Sequence, residues 1–180
     1  MPAQMEDALI HKSDRGQSLI EMALVLPLLV LLLAGLVEVV FYARTYLAIL
    51  EATREGARIG ARGAASYDNS EINTLVEQDL SRQGIDTSTG LLDVIIVRAE
   101  VGPGRVVSGY TAVNMHGSGQ PVYLTQAMIL QRLRDSDPHA RLVAVEVYYN
   151  HRPVLGVPLV SAIFRNPMLL RAYSIMRMLQ

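Results

Sequence analysis

The side chains that could support catalysis are few in this chain of 180 residues, and their spacing forms no catalytic constellation. The chain has no cysteine, which excludes disulfides, thiolate metal ligands and thiol nucleophiles. Ser118 lacks the spacing of a nucleophile elbow, and the acids at 135–137 lack the glycine and the distal glutamate of a calcium loop. We therefore predict that the protein is not an enzyme and has no metal site and no cofactor.

The histidines do not change this prediction. They are far apart in the sequence, so a zinc site would need ligands gathered from distant loops. A lone loop histidine is expected to be solvent-exposed, and this is the interpretation for the four in this chain: His11, His116, His139 and His151.

One acid lies where an interaction with a neighbouring chain is expected. Glu21 follows Gly16 in the segment RGQSLIE and stands at the start of an uncharged apolar run, Met22–Val37. A carboxylate near the edge of a bilayer is unfavourable unless it is paired. Glu21 therefore predicts a partner close to the beginning of this run.

The apolar run is long enough to cross a membrane as a helix. Extended to Leu19–Val40 it covers 22 residues, which as a helix is roughly 33 Å against about 30 Å of hydrocarbon. Pro27 removes one helical hydrogen bond and is expected to kink the helix. A cleaved secretory signal fits less well, because small residues at the required spacing are missing after the run. We predict a retained anchor that spans about residues 19–41.

The residues before the run resemble the cleavage site of type IV prepilins. In those proteins a prepilin peptidase cuts after the glycine, and the acid becomes the fifth residue of the mature chain. The resemblance implies a leader at residues 1–16, a cut between Gly16 and Gln17, and a free α-amine on Gln17. It also implies that this amine pairs with Glu21 of a neighbouring subunit.

The helical character continues beyond the apolar run, and we predict one element over residues 17–64. Small residues recur at every fourth position and line one face: Ala48, Ala52, Gly56, Gly60 and Ala64. Each glycine destabilises a helix by about 1 kcal/mol relative to alanine. Close packing of another element would offset this. That element is either the chain's own globular domain or another subunit.

Residues 15–64 together resemble the TadE-like pseudopilins of tight-adherence (Flp) pili. The resemblance is carried by GQSLIEMALVLPLLVLLLAGLVEVVFYAR, with its internal proline and with Glu38 near the end of the run, and by the alanine- and arginine-rich helix that follows. A looser resemblance covers residues 141–180. The resemblance to TadE-like pseudopilins implies a minor pilin-like subunit that is processed by a prepilin peptidase and is used to build or anchor a pilus.

The same resemblance implies the partners and the location. The partners would be the prepilin peptidase, other pilins or pseudopilins, the inner-membrane assembly platform and membrane lipid, within a homo- or hetero-oligomer. The arginines after the run slightly outnumber the basic residues before it, which leans against export of the C-terminal domain. The prepilin resemblance implies the opposite orientation: a cytoplasmic N-terminus, an exported domain and a location in the inner membrane, with incorporation into a surface pilus left open.

Two further expectations come from charge and from the lack of a visible site. The chain has 16 basic and 17 acidic residues, a net charge of -1, which argues against a nucleic-acid binder. An alternative function is a single-pass anchored protein with an extracytoplasmic binding or adhesion domain that is never processed.

Residues 65–180 predict a small domain, so that the whole chain belongs to the α+β class with a mainly antiparallel sheet and short helices. Helices are expected from an N-cap at Asn69-Ser70 to Gly84, over Tyr123–Arg134, and as a short turn near Leu159–Phe164. Strands are expected at Leu91–Val101, Val106–Val113, Leu142–Tyr149 and Leu169–Met178. The third strand should alternate, with Val143, Val145 and Val147 on one face and Ala144, Glu146 and Tyr148 on the other.

Overall fold

The α+β architecture is confirmed by a computed structural model. It describes residues 3–62, 68–117, 119–133, 140–156 and 167–178, with side chains from residue 16 onward. In chain order the elements are α1 (Ala3–Arg62), α2 (Asn69–Arg82), β1 (Leu92–Gly102), a short 3₁₀ turn (Pro103–Arg105), β2 (Val106–Asn114), α3 (Gln126–Arg132), β3 (Ala140–His151) and β4 (Met168–Arg177). Several residues of the sequence predictions lie outside the described ranges: Ala64, Ser118, the acids at 135–137, His139 and the turn at 159–164.

The described chain falls into two compact units. One contains α1 as far as Phe41 together with residues 153–156. The other begins at Tyr42 and contains the rest of α1, the two short helices and the four strands.

The four strands of the second unit form an antiparallel sheet in the order β2-β1-β3-β4. In the centre of the sheet Val94 of β1 lies opposite Val147 of β3. β1 and β2 form a hairpin, and Gly104 in its turn has a φ of 74°, a conformation that glycine adopts without strain. Each strand predicted from the sequence is present, with its ends within two residues of the prediction.

The central strand β3 is buried on both faces. Its alternation was predicted correctly, and Val143, Val145 and Val147 pack into the core that contains α1 and α2. The opposite face, with Ala144 and Tyr148, packs against Leu124 and Ile129 of the α3 region. Helical elements therefore cover the sheet on both sides.

The ends of α2 and α3 differ from the sequence prediction for identifiable reasons. The N-cap of α2 is Asp68, one residue earlier than predicted, because its side chain and that of Glu71 form a reciprocal capping box. α3 begins at Gln126 and not at Tyr123. The backbone N–H groups of Tyr123 and Leu124 instead donate to the side chain of Glu146, so these residues do not join the helix.

The small residues of α1 pack against their own domain. Ala48 and Ala52 are buried in the core formed with α2 and the sheet. A Cβ atom placed on Gly56 would lie 2.7 Å from Val76 Cγ2, and one on Gly60 would lie 3.0 Å from Ile72 Cδ1. Of the two packing partners expected from the sequence, the chain's own domain is thus present in the structure. A neighbouring subunit would have to use another face of the helix.

We expect Gly56→Ala to lower the free energy of unfolding by about 1–2 kcal/mol, because overpacking exceeds the gain in helix propensity. Val76 cannot easily move aside, since it is buried and a β-branched residue in a helix has one strongly preferred rotamer. Denaturant unfolding of the purified chain in detergent measures the change. The control Arg54→Ala, on the exposed face, should stay within about 0.5 kcal/mol of the wild type. A Gly56→Ala variant as stable as the wild type would contradict the close packing.

Candidate functional site

Residues 19–40 of α1 expose an almost unbroken apolar surface. Among the described residues, α1 is the one helix that is long and apolar enough to cross a membrane. Its most apolar window of 18 residues has a mean hydropathy of 2.8, and 6% of that window is buried. The exposed large side chains include Leu19, Ile20, Met22, Leu24, Leu28, Leu29, Leu32, Leu36, Val39 and Val40. The described residues offer this surface no cover.

The predicted processing site lies at the start of this surface. Gly16, Gln17 and Glu21 are all exposed, and a Cβ atom on Gly16 would meet no other atom within 4 Å. Within the chain, Gln17 Nε2 donates a hydrogen bond to Glu21 Oε1 at 3.1 Å. The structure therefore brings Gln17 and Glu21 together on one helical face. The pairing of the Gln17 amine with Glu21 of another subunit stays a prediction.

Glu38 interrupts the exposed surface, because it is buried where its apolar neighbours are not. Only 5% of Glu38 is exposed. Its carboxylate accepts hydrogen bonds from two consecutive backbone N–H groups, those of Val154 at 3.0 Å and of Leu155 at 2.5 Å. The sequence marked Glu38 only as an acid near the end of the apolar run. A charged residue in such a run predicts a partner, but nothing local identifies one that is 116 residues away.

The histidine predictions were wrong where the structure describes the side chains. His116 is half-buried, and its Nε2 atom lies 2.8 Å from Glu77 Oε1. His151 is buried, and its ring meets the ring of Tyr42 edge-on at 5.9 Å between centroids. The side chain of His11 lies outside the described residues, as His139 does.

The contacts of His116 fasten a loop to the domain. The Nδ1 atom of His116 lies 4.0 Å from Asp93 Oδ1, while Asn114 donates to the other oxygen of Asp93 at 2.8 Å. Together with Glu77, these residues tie the end of β2 to α2 and β1. Within the part of the chain that the structure describes, no three histidine or acidic side chains are placed to hold a metal ion.

Glu146 is a second buried acid with two backbone donors. Its carboxylate lies on β3 and accepts hydrogen bonds from the N–H groups of Tyr123, at 3.0 Å, and of Leu124, at 2.5 Å. Burial raises the pKa of Glu146 above its ordinary value of 4.5, and the two N–H groups and nearby Arg171 oppose this shift. The sequence predicted which face Glu146 lies on but not that it fixes the segment before α3. A single acid within a valine-rich strand was the available signal.

A comparison with known protein families finds a match over most of the N-terminal helix. The family model described as TadE-like protein matches residues 16–58, which confirms the resemblance found there in the sequence. No curated protein matches the chain, and no solved structure does. A TadE-like segment suggests a protein associated with tight-adherence pili. The apolar part of α1 is consistent with a single-pass membrane protein.

We expect Glu146 to make the stability of the domain depend on pH. Since its pKa is raised in the folded state, the folded chain binds this proton more tightly than the unfolded chain does. The contribution of Glu146 is therefore most favourable below about pH 4.5 and is lost as the pH rises through the raised pKa. Its slope is at most about 1.4 kcal/mol per pH unit for one proton.

Glu146→Gln should abolish this slope. The unfolding free energy of the wild type minus that of the variant should fall as the pH increases, measured by urea unfolding at a series of pH values. Glu100→Gln removes the same charge from an exposed position on β1 and corrects for the change in net charge. A difference between wild type and Glu146→Gln that does not vary with pH would be contrary to the expected result.

Proposed function

We propose that this chain is a minor pilin-like subunit, a pseudopilin, of a tight-adherence pilus or a related secretion system. In this proposal a prepilin peptidase removes residues 1–16, and α1 holds the mature chain in the inner membrane. The observation that carries the proposal is the match to the TadE-like family over residues 16–58, where the large apolar side chains between Leu19 and Val40 are exposed.

The exposed apolar surface supports both a stage in the membrane and a stage in an assembled complex. Apolar area left in water is unfavourable by about 25 cal/mol per Å², so the helix requires cover along residues 19–40. Lipid supplies that cover while the subunit is in the membrane. Neighbouring pilin helices supply it when an assembly platform draws the subunit into a complex.

Leader removal would give Glu21 its partner. Cutting the Gly16–Gln17 bond creates a positively charged amine one helical turn before Glu21, on the face where Gln17 already contacts this carboxylate. In an assembly the amine of one subunit pairs with Glu21 of the next. Because this pair lies at the lipid boundary, an unpaired member is unfavourable, and the pair sets the register between helices.

The proposal includes orientation and a non-enzymatic role. The leader faces the cytoplasm, where the peptidase and the assembly machinery act, and the domain formed by β1–β4 lies on the outer side of the membrane. The domain acts by contact with other subunits. Two buried carboxylates, Glu146 in this domain and Glu38 in the other unit, accept backbone hydrogen bonds and are thereby used in holding the fold.

N-terminal mass spectrometry of the protein from its own cells tests this function. We expect the mature chain to begin at Gln17, and the full chain to accumulate in cells that lack the prepilin peptidase. An intact leader in the presence of the peptidase would refute the proposal. It would favour the alternative, a single-pass anchored binding or adhesion protein that is not processed.

Substitution of Gly16 should block leader removal. A bulky side chain in Gly16→Leu would occupy the position before the cut, where the peptidase requires glycine, and the uncleaved chain should predominate. Gly35→Leu is a matched control in the same helix, since a Cβ atom there also meets nothing within 4 Å. Immunoblots of both variants report the ratio of long to short forms. Normal cleavage of Gly16→Leu would show that the site lies elsewhere.

Substitution of Glu21 should leave processing intact and weaken assembly. Glu21→Ala removes a charge-assisted pair of about 1.5–3 kcal/mol, so we expect about a tenfold or greater loss of recovered complexes. Crosslinking in membranes, followed by mass spectrometry of the N-terminus, measures both steps. Glu51→Ala, an exposed acid further along α1, is the control. Wild-type recovery of complexes with Glu21→Ala would exclude the pairing.

A further inference from the structure

The contact between Glu38 and the turn after β3 joins two groups that each need a partner in an apolar medium. A carboxylate near the end of an apolar helix is strongly unfavourable in lipid unless it is paired. Backbone N–H groups that enter the same medium are also unfavourable when they make no hydrogen bond. The hydrogen bonds from Val154 and Leu155 to Glu38 satisfy both requirements at once.

The side chains of this turn point outward. Val154 is 56% exposed and Leu155 is 44% exposed, although their backbone is held by a buried residue. Near Glu38 on α1, the side chains of Val37, Val39 and Val40 are exposed as well. The turn therefore extends the apolar surface of the helix. A medium that covers the helix near Glu38 also contacts the side chains of the turn.

The sequence around the turn is suited to a membrane surface. Residues 153–164 include no charged residue, and arginines stand at both ends, at 152 and 165. The structure describes residues 153–156 of this run, and their uncharged side chains suit a position at the boundary of headgroups and acyl chains. Arg152, which directly precedes them and is exposed, can reach the headgroups with its long side chain.

We propose that Val154 and Leu155 form a second contact with the membrane, inserted at the lipid boundary beside α1, and that Glu38 is the positioning residue that holds them there. The partner is the lipid surface itself. This inference rests on the membrane placement of α1 in the proposed function, but it does not depend on leader removal or on assembly.

Single nitroxide labels on the full chain in lipid vesicles can test the contact directly, because the chain contains no cysteine of its own. Leu155→Cys reports on the turn and keeps the backbone N–H that Glu38 accepts. Leu29→Cys reports on the middle of the apolar helix. Val106→Cys is the matched control on β2, an apolar side chain that is 63% exposed. Each label is scored by its collisions with oxygen, which enters lipid, relative to a water-soluble nickel chelate.

We expect the oxygen-to-nickel ratio at position 155 to exceed that at position 106 several-fold and to approach that at position 29. Adding Glu38→Ala should lower the ratio at position 155 toward that of position 106, because the two N–H groups lose their acceptor. The ratio at position 29 should not change. Glu38→Gln, which keeps one carbonyl oxygen, should give an intermediate ratio, and Glu51→Ala should have no effect.

The contradicting outcomes separate this inference from the proposed function. A label in lipid at position 29 and in water at position 155 overturns the second contact alone. Water at both positions overturns the membrane placement of α1 and this inference together. Protection at position 155 that disappears when the protein is diluted in lipid would show that a second copy covers the turn and not the bilayer. An unchanged ratio in Glu38→Ala would overturn the role of Glu38.

Discussion

The apolar surface of α1 has no cover in the described chain, and the rest of the structure follows from how the protein accommodates that surface. Helices on the surface of soluble domains bury an apolar stripe and expose a polar face. Residues 19–40 of α1 expose apolar side chains on nearly every side, whereas the later part of the helix buries Ala48, Ile49 and Ala52 against its own sheet. One continuous element thus serves two environments, and the change in its sequence from leucine-rich to alanine- and arginine-rich marks the difference.

Two carboxylates, one in each unit, hold an irregular segment of backbone in the same way. Glu38 and Glu146 are both buried, and each accepts hydrogen bonds from two consecutive backbone N–H groups of an irregular segment. Such a pair of donors resembles the free end of a helix, which also presents neighbouring N–H groups to an anion. Each acid therefore fixes a connection that has no regular secondary structure to hold it. Glu146 does this between β2 and α3, and Glu38 does it after β3.

Much of the fold could be predicted from the sequence because it depends on local periodicity. The alternation of Val143, Val145 and Val147 identified β3, and the apolar run identified the helix. The shorter length of α3 and the burial of His116 could not be predicted. Both depend on partners that are distant along the chain, Glu146 and Glu77, and no local pattern links them. At the candidate site, the spacing of Gly16 and Glu21 led to the predicted roles of these residues, and those roles stay predictions. The partners of Glu38 could not be predicted, because they too are distant along the chain.

The part of α1 that packs on the sheet belongs to the core of the domain. Ile49 is fully buried, and Ala52 and Ala57 lie beside Ile72 and Val145 in one cluster. A shortened, water-soluble form of the domain therefore has to start near Tyr42, well before the end of the helix. If the chain were instead cut where the helix ends, at Arg62, one side of the sheet would keep α2 but lose the cover that α1 supplies, and the fragment would expose valines to water and aggregate.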